Sequence, residues 1–263
     1  MIRRRDDATI IITQTAHAWL SGQFAMHWGN EAFQFPALPA EMIMVAANHD
    51  AGWSTWEQTP QLDARQRPLD FLDMPVASHL QIWGRGIHGL AAQSHYVALL
   101  ASRHGRYLLE HRLQHNHQDT EADKALLKAF SRAQQDWEAG IIDRLQDQPY
   151  FAGGCEADRL QANLRLLQVF DWFSLLLCMN KLSETVVVDV PGRTPAQRFD
   201  IRLKPTGSSS LTMTPWPFKD AAFTVTVQAH HLTEATFESN EAFQAAWQAA
   251  EVKTLVFSLV QSV

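Results

Sequence analysis

The chain is poor in cysteine: Cys155 and Cys178 are the only two in 263 residues. A small domain stapled by disulfides needs more, so a reducing compartment is expected. It also lacks a long apolar run. The most apolar stretch, around 172–179, falls far short of the ~20 residues that span a bilayer. Residues 1–5 read Met-Ile-Arg-Arg-Arg, but Asp6 and Asp7 follow. No apolar segment with a small-residue cleavage site comes after them, so no signal peptide is expected. These absences predict a soluble cytoplasmic protein with no membrane partner. Excess positive charge is missing too: 22 basic against 28 acidic residues give a net charge of −6. A general nucleic-acid binder needs a cationic face, so that class is excluded as an expectation. The sequence has no Gly-x-x-x-x-Gly-Lys-Ser/Thr phosphate loop and no Gly-x-Ser-x-Gly nucleophile turn. It has no cysteine pair suited to a zinc ribbon.

What the chain has is ordinary apolarity and unusual histidine. Hydrophobic residues make up 46% and charged residues 19%, which suits a globular protein and is too apolar for disorder. There are 12 His and 9 Trp, and ten of the histidines lie between His17 and His117.

Apolar spacing predicts a mostly helical stretch over 1–182 and a small β-rich subdomain over 183–263. After a short β-like start at 8–12, a helix is predicted over 13–28, with His17, Leu20, Phe24 and His27 on one face. The next runs over 40–49, with Met42, Val45, Ala46 and His49 on one face, and stops at Gly52. Residues 53–73 read as loop, and 75–104 as helix broken near Gly84, Gly86 and Gly89. A polar helix or pair follows over 118–147, then a long helix over 157–181. Strands are expected at 185–190, 199–203, 208–213, 222–228 and 254–259, with one helix at 240–250.

The chemistry centres on His49-Asp50, at the end of an apolar helix. Adjacent helical residues project ~100° apart, so both reach a ligand held in the angle between them. In the long helix, Leu160, Leu164, Leu167, Asp171, Leu175 and Cys178 recur at steps of three and four. Asp171 therefore lies inside an apolar stripe, where an unpaired carboxylate is costly and needs a cation or a proton. The bland alternative is an ion pair with Arg165 or Lys181, although Arg165, six residues away, falls on another face. For His49-Asp50 the bland alternative is a hydrogen-bonded pair at a helix end, and for His17 a core-edge histidine. Together His17, His49, Asp50 and Asp171 offer the nitrogen and oxygen ligands of a divalent metal.

The order His … His-Asp … Asp on successive helices resembles the HD-domain metal-dependent phosphohydrolases. The resemblance implies an HD-like helical bundle, with His17 as the first ligand, His49 and Asp50 as the doublet and Asp171 as the last carboxylate. Binuclear members add two histidines, matched here by His79 and His104. It then implies one or two divalent ions (Fe, Mn, Mg, Zn or similar), with Asp50 bridging them as the catalytic carboxylate. Arg67, Arg85 and Arg103 would receive a small anionic substrate. Some proteins of this kind are di-iron oxygenases, and a non-enzymatic metal- or ligand-binding protein is the other alternative. The resemblance also allows a homodimer. The whole chain, with its Pro-Trp-Pro-Phe at 215–218, resembles a bacterial family of domains of unknown function. Trp53 and Trp56 follow the doublet as candidate pocket walls. Glu57 is either an orienting partner for a ligand histidine or a solvent-facing loop acid, and His88 and His95 are candidates for pocket flanks.

Overall fold

Side-chain and proline caps set the helix starts. In a computed structural model, which describes residues 1–5 and 8–262, helix α1 (Gln14–His27) begins where the Thr13 hydroxyl accepts from the Ala16 amide at 3.0 Å. Helix α2 (Pro39–Asn48) opens on a proline, whose missing N–H costs nothing in the first turn. Short 3-10 turns follow at Ala51–Ser54, Trp56–Gln58 and Phe71–Asp73. Helices α3 (Val76–Ala91) and α4 (His95–His115) part at residues 92–94, where Ser94 caps α4. The expected break near Gly84–Gly89 does not occur: α3 runs through all three glycines, of which Gly86 packs closely against Gly52. A reciprocal Thr120–Asp123 capping box starts α5 (Glu121–Gln146), followed by α6 (Pro149–Ala152) and α7 (Ala157–Cys178). Among the described residues, no helix is long and apolar enough to cross a membrane.

The strands are β1 (Ile2–Arg5), β2 (Ala8–Ile11), β3 (Thr185–Pro191), β4 (Arg198–Gly207), β5 (Ser210–Thr214), β6 (Ala222–Leu232) and β7 (Glu251–Val260). Helix α8 (Asn240–Ala249) lies between the last two. They form one seven-stranded mixed sheet in the order β1-β2-β6-β7-β5-β4-β3, antiparallel except for β5 against β7. This corrects the expected mainly-α, HD-like bundle with a small β-rich C-terminal subdomain. The N-terminal hairpin, with Ile2 opposite Ile11, docks through β2 onto β6, placing Ile10 opposite His231. A charged Ile-Arg-Arg-Arg has no local strand pattern, and its hairpin pairs with a segment over 200 residues away. Local periodicity carries neither fact.

One apolar core runs from Ile10 and Ile12 through Leu20, Phe24, Leu167 and Phe170 to Ile201, Val225 and Phe257. Aromatic edges join α1 to α7 and to the segment after β5: Trp28 meets Phe170 at 5.2 Å and Phe218 at 6.0 Å, and Phe24 meets Phe173 at 5.5 Å. The Pro-Trp-Pro-Phe segment clasps the end of α1. Gly29 donates to the Pro217 carbonyl at 3.0 Å, Asn30 Nδ2 to the Trp216 carbonyl at 2.7 Å, and Lys219 N–H to the His27 carbonyl at 3.0 Å.

The turn that follows His49-Asp50 is seated on α3 through backbone contact. A Cβ on Gly52 would stand 2.0 Å from the Ile82 carbonyl oxygen, and one on Gly86 would stand 2.8 Å from the Gly52 nitrogen. Gly52→Ala must therefore push backbone apart, a strain of about 1–3 kcal/mol. Gly89 on the same helix has nothing within 4 Å of its would-be Cβ. Gly89→Ala should stabilise by up to ~1 kcal/mol by reducing the freedom of the unfolded chain. Thermal melts of the two variants should move in opposite directions from the parent; a Gly52→Ala melt at or above that of the parent would remove the packing role of Gly52.

Candidate metal centre

Four helices deliver five ligand groups to one point. His17 comes from the first turn of α1. His49 ends α2, and Asp50 follows it at φ −103°, ψ 19°, where the chain turns into the 3-10 segment. That corner lets both side chains of the doublet face the same way. His104 comes from α4 and Asp171 from α7. His17 Nε2 lies 3.1 Å from Asp171 Oδ1 and 3.5 Å from Asp50 Oδ2. His49 Nε2 lies 3.6 Å and 3.7 Å from the same two oxygens. His104 Nε2 is 3.4 Å from Asp171 Oδ2. The side chains of His17 and His49 are each 2% exposed, and Asp171 is 12% exposed.

Hydrogen bonds behind the rings fix where their protons are. His49 Nδ1 stands 3.0 Å from the Ala46 carbonyl, which can only accept, so Nδ1 carries a hydrogen. The Ser174 hydroxyl donates to the Asp171 carbonyl at 2.8 Å and accepts from Ser21 at 3.0 Å. Its contact with His17 Nδ1 at 2.5 Å is then one in which the ring N–H donates. Both Nε2 atoms, 3.3 Å apart, are thus the coordinating nitrogens, aimed at each other and at two carboxylates. A single proton can satisfy one of them; a cation satisfies all. Ligand atoms held ~2.1 Å from an ion sit ~3.0 Å apart in cis octahedral positions and ~3.4 Å apart in a tetrahedron. The observed spacings of 3.1–3.7 Å start within that range and exceed it by at most about 0.3 Å. Two overlapping groups, His17–His49–Asp50 and His49–His104–Asp171, can hold a metal ion. The donor set of imidazoles and carboxylates suits a first-row divalent metal.

The electrostatics agree. Burial alone would lower the pKa of His49, but Asp50 and Asp171 outweigh it and raise the value to about 9. Burial would raise Asp171; bonds from His104, His17 and His49 instead hold it well below the usual carboxylate range.

The other expected residues lie elsewhere. His79 is in neither ligand group. It stands on the wall of the adjoining cavity, 5.2 Å from the Trp53 ring and 4.2 Å from Trp83. Burial, aided by Arg112, lowers its pKa to about 4. His104, expected beside a second ion, joins the same cluster as His49 and Asp171. Arg67 is tied to Asp63 at 2.8 Å, Arg103 faces Glu138 at 3.7 Å and Arg85 is exposed; none of the three lines the cavity. His88 and His95 are exposed. Trp53 lines the cavity and Trp56 packs edge-on against it. Glu57 is neither of its alternatives. It is largely buried and caps α1, accepting from the Gln14 N–H, from the Thr15 N–H at 3.3 Å and from the Thr15 hydroxyl at 2.8 Å. Its burial raises its pKa. Sequence reasoning missed Ser174, whose signal was its place three residues after Asp171 in the same buried stripe. It also missed Arg112 and Asn116 on the cavity wall.

Fold and site together define a mixed-sheet α/β protein with a buried three-histidine, two-aspartate cluster opening on a cavity. The family model described as "Protein of unknown function (DUF3891)" matches residues 1–234, and the chain belongs to that family. No curated protein and no solved structure matches the chain.

A metal must displace the His49 proton, so uptake depends on pH. Asp171 is ionised throughout the neutral range, and His49 keeps its proton up to about pH 9. Apparent affinity should rise about tenfold per pH unit from pH 6.5 to 8.5 and level off above about 9. In the metal-free chain the sign reverses. His49 has a raised folded-state pKa, so its stabilising contribution is full below the unfolded value near 6.5 and is lost as pH rises through about 9. Calorimetric zinc titrations across that range, with melts in chelator, check both slopes; a flat affinity profile would remove His49 from the ligand set.

Proposed function

We propose that the chain is a metal-dependent hydrolase. The observation that carries this is the convergence of the His17 and His49 Nε2 atoms with two buried carboxylates at the base of a cavity of about 300 Å³. A divalent ion held there lowers the pKa of a bound water towards neutrality, which supplies a nucleophile. His17, His49, His104 and Asp171 hold the ion. Asp50 turns Oδ2 to the cluster, while its Oδ1 has no partner among the described residues. Asp50 also borders the cavity, and Oδ1 is the atom placed to take a proton from the attacking water. Ser174 and Ala46 keep two rings in the coordinating tautomer. Phosphohydrolase chemistry is the narrower form of this reading, and it rests on the His/Asp cluster's resemblance to HD domains.

The purified chain should carry close to one ion per chain, and Asp171→Ala should carry almost none. The metal-loaded chain should hydrolyse p-nitrophenyl phosphate or p-nitrophenyl butyrate. Chelation should abolish that activity and added metal restore it. Asp50→Asn should lower kcat by about 10²–10⁴, the usual worth of a general base. Undiminished hydrolysis in chelator would overturn the proposal. Iron-dependent oxygen uptake without hydrolysis would replace it with the oxygenase reading.

A further inference from the structure

The cavity above the cluster has walls of a distinct character. Leu80, Leu108, Leu109, Leu127 and Leu175 line it with Trp53, Trp83 and Phe71. Outside the cluster, the one cation among the described lining residues is Arg112, and its charge is already taken. Its Nε and Nη2 grip both oxygens of Asp119 at 2.8 and 2.6 Å, and Asp119 is only 6% exposed. That bond keeps the Asp119 carboxyl below its usual range, so the pair stays intact at neutral pH. The cluster offers no surplus charge either, since a divalent ion is balanced by Asp50 and Asp171. A phosphate dianion entering this space would lose its water and meet no free positive charge, a heavy cost. Two uncharged polar side chains face the cavity without a hydrogen-bond partner among the described residues, those of Gln14 and His79. Burial keeps His79 neutral, so its ring offers a donor and an acceptor.

We infer that this cavity receives a small, uncharged, largely apolar molecule, held at its polar group by Gln14 and His79, in place of a phosphate ester. The inference deepens the hydrolase reading and rests on it for the direction in which the scissile bond faces. At ~30 Å³ per water-sized unit, about 300 Å³ takes roughly ten to fifteen non-hydrogen atoms.

The test is a calorimetric titration of the metal-loaded full chain. The probes are straight-chain primary amides of four to ten carbons and monoalkyl phosphates of the same lengths. Amide affinity should rise about threefold to fourfold per methylene until the cavity is full, then level off. Phosphates should bind at least about tenfold more weakly at each length. His79→Leu should weaken every amide about fivefold to tenfold and leave the dependence on chain length unchanged. Phosphates binding as tightly as their matched amides, or amide affinity independent of length, would overturn the inference. Metal content and hydrolysis are read separately. An active, metal-loaded chain that prefers phosphates defeats this inference alone. A chain without metal that still shows the amide ladder sustains it and defeats the hydrolase reading alone.

Discussion

Two imidazole nitrogens 3.3 Å apart, each with its ring proton committed on the far side, face the same pair of carboxylates. Lone pairs and negative charge collected at one buried point are tolerable only around a cation. The surrounding helices are arranged to keep that point fixed. Helices α1, α2, α4 and α7 meet there: α1 and α4 each bring a histidine, α2 ends in the His49-Asp50 doublet, and α7 brings Asp171.

Helix α1 shows how firmly the site is tied to its scaffold. Its first turn is held by Thr13 and by the buried carboxylate of Glu57. Its last turn is clasped by the segment around Trp216 and Phe218, which belongs to the sheet side of the molecule. His17 hangs between these two anchors. Gly52 and Gly86 perform the same service for the doublet, letting the backbone after Asp50 press directly onto α3.

Much of the cluster was legible because it follows local rules. His17 and Asp171 could be placed on inward faces by steps of three and four, and His49 and Asp50 by adjacency at a helix end. His104 was visible only through resemblance, because its neighbours are set by how α4 crosses α7. The arginines illustrate the same boundary. Arg67 has Asp63 four residues before it, a partner a sequence can show. The buried Glu138 that faces Arg103 lies 35 residues downstream on another helix, and no local signal announces it. The helices were largely readable from apolar period and caps. The single sheet was not, since its first two strands pair with a segment near the other end of the chain.

The positions of the ligands along the chain have a kinetic meaning. His17 and Asp171 are 154 residues apart, and the cluster is complete only when α7 lies against α1. The complete set of ligands therefore exists only late in folding, because Asp171 must first cross that long loop. An ion bound there would act on the assembled state, as a latch whose release would precede the parting of α1 and α7. Contacts made late in folding slow unfolding rather than speed folding. With an ion bound, the buried centre would give the fold persistence in time, separately from any chemistry at the cavity floor.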